Sequence, residues 1–173
     1  SGDITLNAGW TCDYEFLESE TSVTVTGYAG SDDLTTLVMP NSLNGKDIVA
    51  LGAGCFAGEA DLVTIDLPDH LTVIYAEAFS GCSALTEIYL PDTVISIGNK
   101  AFKNCSVLSI ADLGLGLTTI GANTFENCVS LINIVIPDSV ITICDYAFYN
   151  CITLGSAIIG NSVATIGANA VAR

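Results

Sequence analysis

The chain has 173 residues, half of them hydrophobic, and a formal net charge of −15 from 19 acidic residues against 4 basic ones. With only Lys46, Lys100, Lys103 and Arg173 to neutralise phosphate, it is not expected to bind nucleic acid or anionic membrane surfaces. Its apolar residues come in short pulses, well under the ~18–20 consecutive residues that cross a bilayer, so no membrane insertion is expected.

The N-terminal part is the least regular. It begins Ser1-Gly2-Asp3, without a basic segment followed by an apolar one, which reads as a mature or excised piece. Asp3, Asp13, Glu15, Glu18, Glu20, Asp32 and Asp33 crowd it with negative charge. Residues 10–28, WTCDYEFLESETSVTVTGY, alternate like two strands around the polar stretch Glu18–Ser22. This predicts a β-hairpin cap over residues 1–33, covering strand edges that would otherwise invite aggregation. Residues 34–173 are then the body of the fold. In its first coil the interval from Pro40 to Phe56 exceeds that from Pro68 to Phe79 by five residues. The surplus, around Asn44-Gly45-Lys46, predicts an inserted turn.

Beyond it a 23-residue period takes over. Phe56, Phe79, Phe102, Phe125 and Phe148 recur at that interval, and Cys82, Cys105, Cys128 and Cys151 each follow a Phe by three residues. Leu62, Leu85, Leu108, Leu131 and Leu154 make a third column, and Ile74, Ile97, Ile120, Ile143 and Ile166 a fourth. Columns with one shared period are the signature of stacked coils. In the coil LTEIYLPDTVISIGNKAFKNCSV, from Leu85 to Val107, Ile88 and Leu90 point inward from a short strand that Pro91 ends. A second β-like stretch spans Val94–Ile97, Gly98 turns the chain, and a helical or 3-10 turn is expected from Ala101 and Phe102 to Cys105. Gly114 and Gly160 stand in place of proline, predicting a looser stop. About five full coils and a partial sixth are expected, the last with Val171 where a Phe would stand. The predicted fold class is a repeat solenoid: a β-rich, right-handed, leucine-rich-repeat-like coil of short parallel strands and short helical or 3-10 turns, with the hairpin cap.

Little in the chain resembles catalytic or metal-binding equipment. Parallel thiols one strand spacing apart, about 4.8 Å, exceed the roughly 3.8 Å Cβ separation of a disulfide, and a straight column cannot gather around zinc. The cysteine column therefore reads as small core residues. A Cys12–Cys55 bridge between hairpin and first coil is left open. His70, the single histidine, follows Pro68-Asp69 in a turn and reads as exposed. No phosphate loop, HExxH or CxxC is present, so no enzyme activity, catalytic residue, metal or cofactor is expected.

The informative positions lie between the inward strand residues. They form two outward columns, Thr64-Glu87-Ile110-Asn133-Ser156 and Asp66-Tyr89-Asp112-Val135-Ile158, grading from acidic to apolar along the stack. Thr64, Asp66, Glu87, Tyr89, Asp112, Asn133, Val135 and Ile158 are the candidate binding residues. Asp66, Tyr89 and Asp112 suit a basic or hydroxyl-bearing ligand, while Val135 and Ile158 suit an apolar contact.

The pattern LxxIxLPxxVxxIGxxAFxxCxx at Leu85–Val107 and Leu131–Thr153 closely resembles the BspA-like leucine-rich repeats. The departures are Gly114 and Gly160 for Pro, Thr124 for Ala, Cys144 for Gly and Ala111 for Ile. The resemblance implies a secreted or cell-surface protein that contacts a host or neighbouring-cell protein or glycan, and it carries no catalytic residues. The expected function is therefore a non-catalytic recognition domain acting through the outward strand face. The alternative is a structural spacer or a module self-associating through its open C-terminal end.

Overall fold

The computed structural model describes residues 4–5, 13–28 and 35–172. Near the N-terminus run β1 (Ile4–Thr5), β2 (Asp13–Glu18), β3 (Ser22–Tyr28), β4 (Thr36–Val38), β5 (Ser42–Leu43) and β6 (Lys46–Leu51). Each later coil then contributes one strand to each of two walls. The first wall receives β7 (Thr64–Asp66), β9 (Glu87–Tyr89), β11 (Ile110–Asp112), β13 (Asn133–Ile136) and β15 (Ser156–Ile159). The second receives β8 (Val73–Ile74), β10 (Ser96–Ile97), β12 (Thr119–Ile120), β14 (Thr142–Ile143) and β16 (Thr165–Ile166).

The second wall is one continuous ladder. Strands β6, β8, β10, β12, β14 and β16 pair parallel in sequence, with Ile74, Ile97, Ile120 and Ile143 in register. The first wall is interrupted. Ladders join β4 to β7, β9 to β11 and β13 to β15, but not β7 to β9 or β11 to β13.

Where a helical or 3-10 turn is expected, from Ala101 and Phe102 to Cys105, each coil has separate turns instead, which stack into a third wall; the described residues contain no helix. The backbone N–H groups explain why. Ala101, Lys103 and Cys105 donate within their own coil, to Gly98, Lys100 and Phe102. Lys100, Phe102 and Asn104 donate to Ala122, Thr124 and Glu126 of the next coil. A helix needs every N–H for its own i−4 carbonyl, and here every second one is used between coils. Left-handed residues recur at two positions per coil: Gly54, Glu77, Lys100, Asn123, Tyr146 and Asn169, then Gly58, Gly81, Asn104, Asn127 and Asn150. They prevent successive turns from fusing into a helix.

The core lies between the walls. Phe56, Phe79, Phe102 and Phe125 are fully buried, with Phe148 nearly so. Consecutive rings stack with centroids 5.2–5.3 Å apart and planes within 7°. Beside them each column cysteine donates its S–H to a phenylalanine carbonyl one coil back: Cys82 to Phe56, Cys105 to Phe79, Cys128 to Phe102 and Cys151 to Phe125, at 3.0–3.2 Å. These four, Cys55 and Cys144 are free thiols, whereas Cys12 lies outside the described residues. Burial pushes the Cys55 and Cys82 thiols up to about 12 and the Cys151 thiol up to about 11. It raises Cys105 and Cys128 in the same direction.

Strands β2 and β3 form an antiparallel hairpin, and β3 then pairs parallel with β6, extending the second wall. The hairpin also continues the aromatic column, since Tyr28 lies 5.5 Å from Phe56 and Tyr14 lies 5.7 Å from Tyr28. The surplus residues of the first coil make a second hairpin, β5–β6, closed by Asn44 and Gly45, both at positive φ. Its tip grips the first: Asn44 Nδ2 and Lys46 Nζ donate to Glu18 at 2.6 and 3.3 Å, and Lys46 also reaches the Ser19 carbonyl at 2.6 Å. The Asn44 and Lys46 hydrogen bonds hold the Glu18 carboxyl below its usual value.

Gly114 and Gly160 correct the expectation of a looser stop. A Cβ at Gly114 would lie 2.7 Å from the Leu90 carbonyl oxygen, and one at Gly160 would lie 2.5 Å from that of Pro137. The missing side chain lets these coils approach the proline-bearing coil before them more closely. Proline and glycine thus alternate along Pro91, Gly114, Pro137 and Gly160, in step with Ile88, Ala111, Ile134 and Ala157. The ladders β9–β11 and β13–β15 join a proline coil to the glycine coil after it, so here the structural unit is a pair of coils.

Candidate functional site: the outward face of the interrupted wall

On β7, β9, β11 and β13 the second residue points into the core and its neighbours point out, as the period of two requires, whereas on β15 all four residues are exposed. Ile65, Ile88, Ala111 and Ile134 are buried. Asp66, Tyr89, Asp112, Asn133, Val135 and Ile158 are exposed, and Thr64 and Glu87 are half-buried. Glu87 lies in register with Ile110, Tyr89 with Asp112, Asn133 with Ser156 and Val135 with Ile158. Asp66 pairs with Val38 and Thr64 with Thr36, and no ladder joins them to Tyr89 and Glu87.

Four of the candidate residues come together. Tyr89, Asp112, Asn133 and Val135 line an open groove of about 650 Å³ with Ser109, Ile110, Ala111 and Ile132. It sits over the break between β11 and β13, where Ala111 takes the place of the isoleucine found in the coils on either side. Thr64, Asp66, Glu87 and Ile158 lie outside this lining. Ile132 belongs to the groove although its position was not selected from the sequence. The signal was present: the equivalent Thr86 and Ser109 donate their hydroxyls to the Val63 and Thr86 carbonyls, and isoleucine cannot. Its side chain is 53% exposed.

The groove is apolar along its walls and negative at one end. Ile110, Val135 and Ile132 supply exposed aliphatic surface. The Tyr89 hydroxyl donates to Glu87 Oε2 at 3.2 Å, and Asp112 Oδ1 accepts the Gly114 N–H at 3.1 Å. The Glu87 carboxylate raises the Tyr89 phenol above its ordinary value, with partial desolvation and the Asp112 charge adding to the effect. The three lysines are engaged elsewhere, pairing with Glu18, Glu77 and Glu126 on the hairpins and the turn wall.

His70 is exposed in its turn. Among the described residues no three His, Cys, Asp or Glu side chains gather as metal ligands, and no helix is long and apolar enough to cross a membrane.

The model for the BspA-type leucine-rich repeat region matches residues 49–173 in six copies. The chain belongs to this family. Among solved structures, a leucine-rich repeat protein of T. pallidum superposes with a TM-score of 0.78 at 26% identity, over 89% of this chain and 83% of that one. A leucine-rich cell-surface protein of Faecalibacterium prausnitzii gives a TM-score of 0.63 at 24% identity, over 99% of this chain and 52% of that one. The pneumococcal vaccine antigen PcpA gives 0.60 at 20% identity, over 90% and 48%. The chain thus spans most of the treponemal protein and about half of the other two. No curated protein matches it significantly. Within this array the Phe, Leu and Cys columns are buried in every coil, and the outward strand residues differ from coil to coil.

Proposed function

We propose that the chain is a non-catalytic recognition domain of a secreted or cell-surface protein, binding a protein or glycan through the outward face of the interrupted wall. One observation carries the reading: a groove bearing Tyr89, Asp112, Asn133 and Val135 lies on that face, built from side chains the stacked core does not use. The location draws support from the F. prausnitzii neighbour, described as a cell-surface protein, and from the pneumococcal one, described as a vaccine antigen. In this reading residues 1–33 act as the cap and residues 34–173 carry the binding array. The test compares the wild-type chain with a D66A/Y89A/D112A variant against displayed peptides and a glycan array. Loss of the selected ligands at unchanged thermal stability supports the proposal, and undiminished binding moves recognition off this face.

A second reading, self-association through the C-terminal end, is favoured by the last coil. Ile158, Ile159, Ile166 and Val171 are 43–61% exposed there, although Ile143 and Phe148, one coil earlier than Ile166 and Val171, are buried. Light scattering over a hundredfold range of concentration tests it, and a constant monomer mass rules it out.

A further inference from the structure

We infer that the groove over the β11–β13 break receives a cationic side chain flanked by apolar ones, the chemistry of a basic, apolar peptide segment. The inference rests on the strand face being the recognition surface and goes further, to what that surface selects.

Charge supplies the first argument. Asp66, Glu87 and Asp112 lie on this wall, while all three lysines are paired on other parts of the surface. Asp112 accepts the Gly114 N–H, and a carboxylate has about four acceptor sites, so capacity remains for an incoming donor. The Tyr89 ring, half exposed beside Asp112, offers a π face to the same cation. A guanidinium suits this end of the groove best, because it donates in a plane and stacks on an aromatic ring.

The walls supply the second. Ile110, Ile132 and Val135 are 46–57% exposed and line one groove, so an aliphatic side chain laid there loses water from both partners. A glycan fits less well, since it carries hydroxyls around its ring and aliphatic walls leave them without partners at a desolvation cost. Asn133 and Ser109 are the remaining polar side chains in the lining, too few to serve a sugar face.

The experiment uses the methyl-labelled chain in solution, titrated with N-acetyl-Leu-Arg-Leu-amide, with the same peptide carrying citrulline for Arg, and with a panel of neutral oligosaccharides. Citrulline keeps the shape of arginine and removes its charge. The expected result is saturable shifts of the Ile110, Ile132 and Val135 methyls with the arginine peptide, and affinity about tenfold weaker with citrulline. In D112N the arginine peptide falls to the citrulline level and the difference between the two disappears. Asparagine still accepts the Gly114 N–H, and unchanged methyl signals at Ile74 and Leu85 verify the fold. Equal binding of both peptides, shifts elsewhere, no shifts, or saturation by an oligosaccharide would overturn the inference. If ligands selected on the whole face vanish with D66A/Y89A/D112A but ignore D112N, the recognition reading survives and the cationic one fails. If instead the arginine peptide fills the groove while no selected ligand depends on the face, the cationic site stands and the recognition reading falls.

Discussion

The two β walls are built from the same coils and differ in what holds them. The second wall is an unbroken parallel ladder, with two residues per strand from β8 onward and threonines on its outer surface bonding back to the previous coil: Thr72 to Val49 and Thr118 to Ile95. The first wall has longer strands than β8 to β16 of the second, yet its ladder stops after every second strand, and the groove lies over one of these breaks, between β11 and β13. Continuity on one side, together with the turn wall and the phenylalanine stack, carries enough of the inter-coil bonding for the other side to be interrupted. In the proposed reading scaffold and recognition are thus divided between walls, and the division can be attacked from either side.

The largest effect is expected at the centre of the stack. Phe102→Ala removes a fully buried ring with stacked neighbours on both sides and should cost about 3–5 kcal/mol in denaturant unfolding. A loss under about 1 kcal/mol would mean that the walls alone hold the coils. Gly114→Ala should cost about 1–3 kcal/mol, because its Cβ would overlap the Leu90 carbonyl at a position with φ of +62°. That cost should come with loss of the β9–β11 ladder, read by hydrogen exchange.

Alkali probes the cysteine column. The buried thiols titrate higher in the folded chain than in the unfolded one, so unfolded molecules release protons first as pH rises. Stability should be full below about pH 9 and fall from there towards pH 12, by at most about 1.4 kcal/mol per pH unit for each thiol. Replacing Cys82 and Cys105 by Ala should flatten that slope, and an unchanged slope would transfer the effect to other groups. Changes on the interrupted wall should leave stability nearly alone: D66A/Y89A/D112A is expected within about 0.5 kcal/mol of wild type for each exposed site. Smallest is Lys100→Asn. Asparagine tolerates the left-handed backbone better and already occupies the equivalent positions 123 and 169, so a gain of about 0.5 kcal/mol is expected after loss of the exposed Glu77 pair.

Much of this architecture was legible in the sequence, for definite reasons. The phenylalanine, leucine and isoleucine columns are core positions, and burial at a fixed period leaves a fixed imprint. The surplus Asn44-Gly45 turn was readable because few residues accept positive φ in succession. The non-helical form of the turn wall was not, because Ala101-Phe102-Lys103 suits a helix locally, while the next coil's carbonyls divert alternate N–H groups and Lys100 and Asn104 on either side are left-handed. On the candidate site, six of the eight named positions are exposed and two, Thr64 and Glu87, are half-buried. Their grouping into one groove depends on where ladders break. The alternation of Pro91, Gly114, Pro137 and Gly160 signalled that break in a form meaningful only once close approach to the preceding coil is known.

The turn wall gives the stack a direction. Gly54, Phe56 and Gly58, and their equivalents in each coil through Asn150, donate forward to the following coil, while Thr72, Ile95, Thr118, Ile141 and Ala164 on the second wall donate backward. The two ends are therefore unlike, as in a polymer with a head and a tail. A tail-to-tail meeting of two copies would set donors against donors along the turn wall. Association that continues the turn-wall bonding from the last coil should accordingly be head to tail, without a twofold axis, and the hairpin paired with β6 covers part of the head.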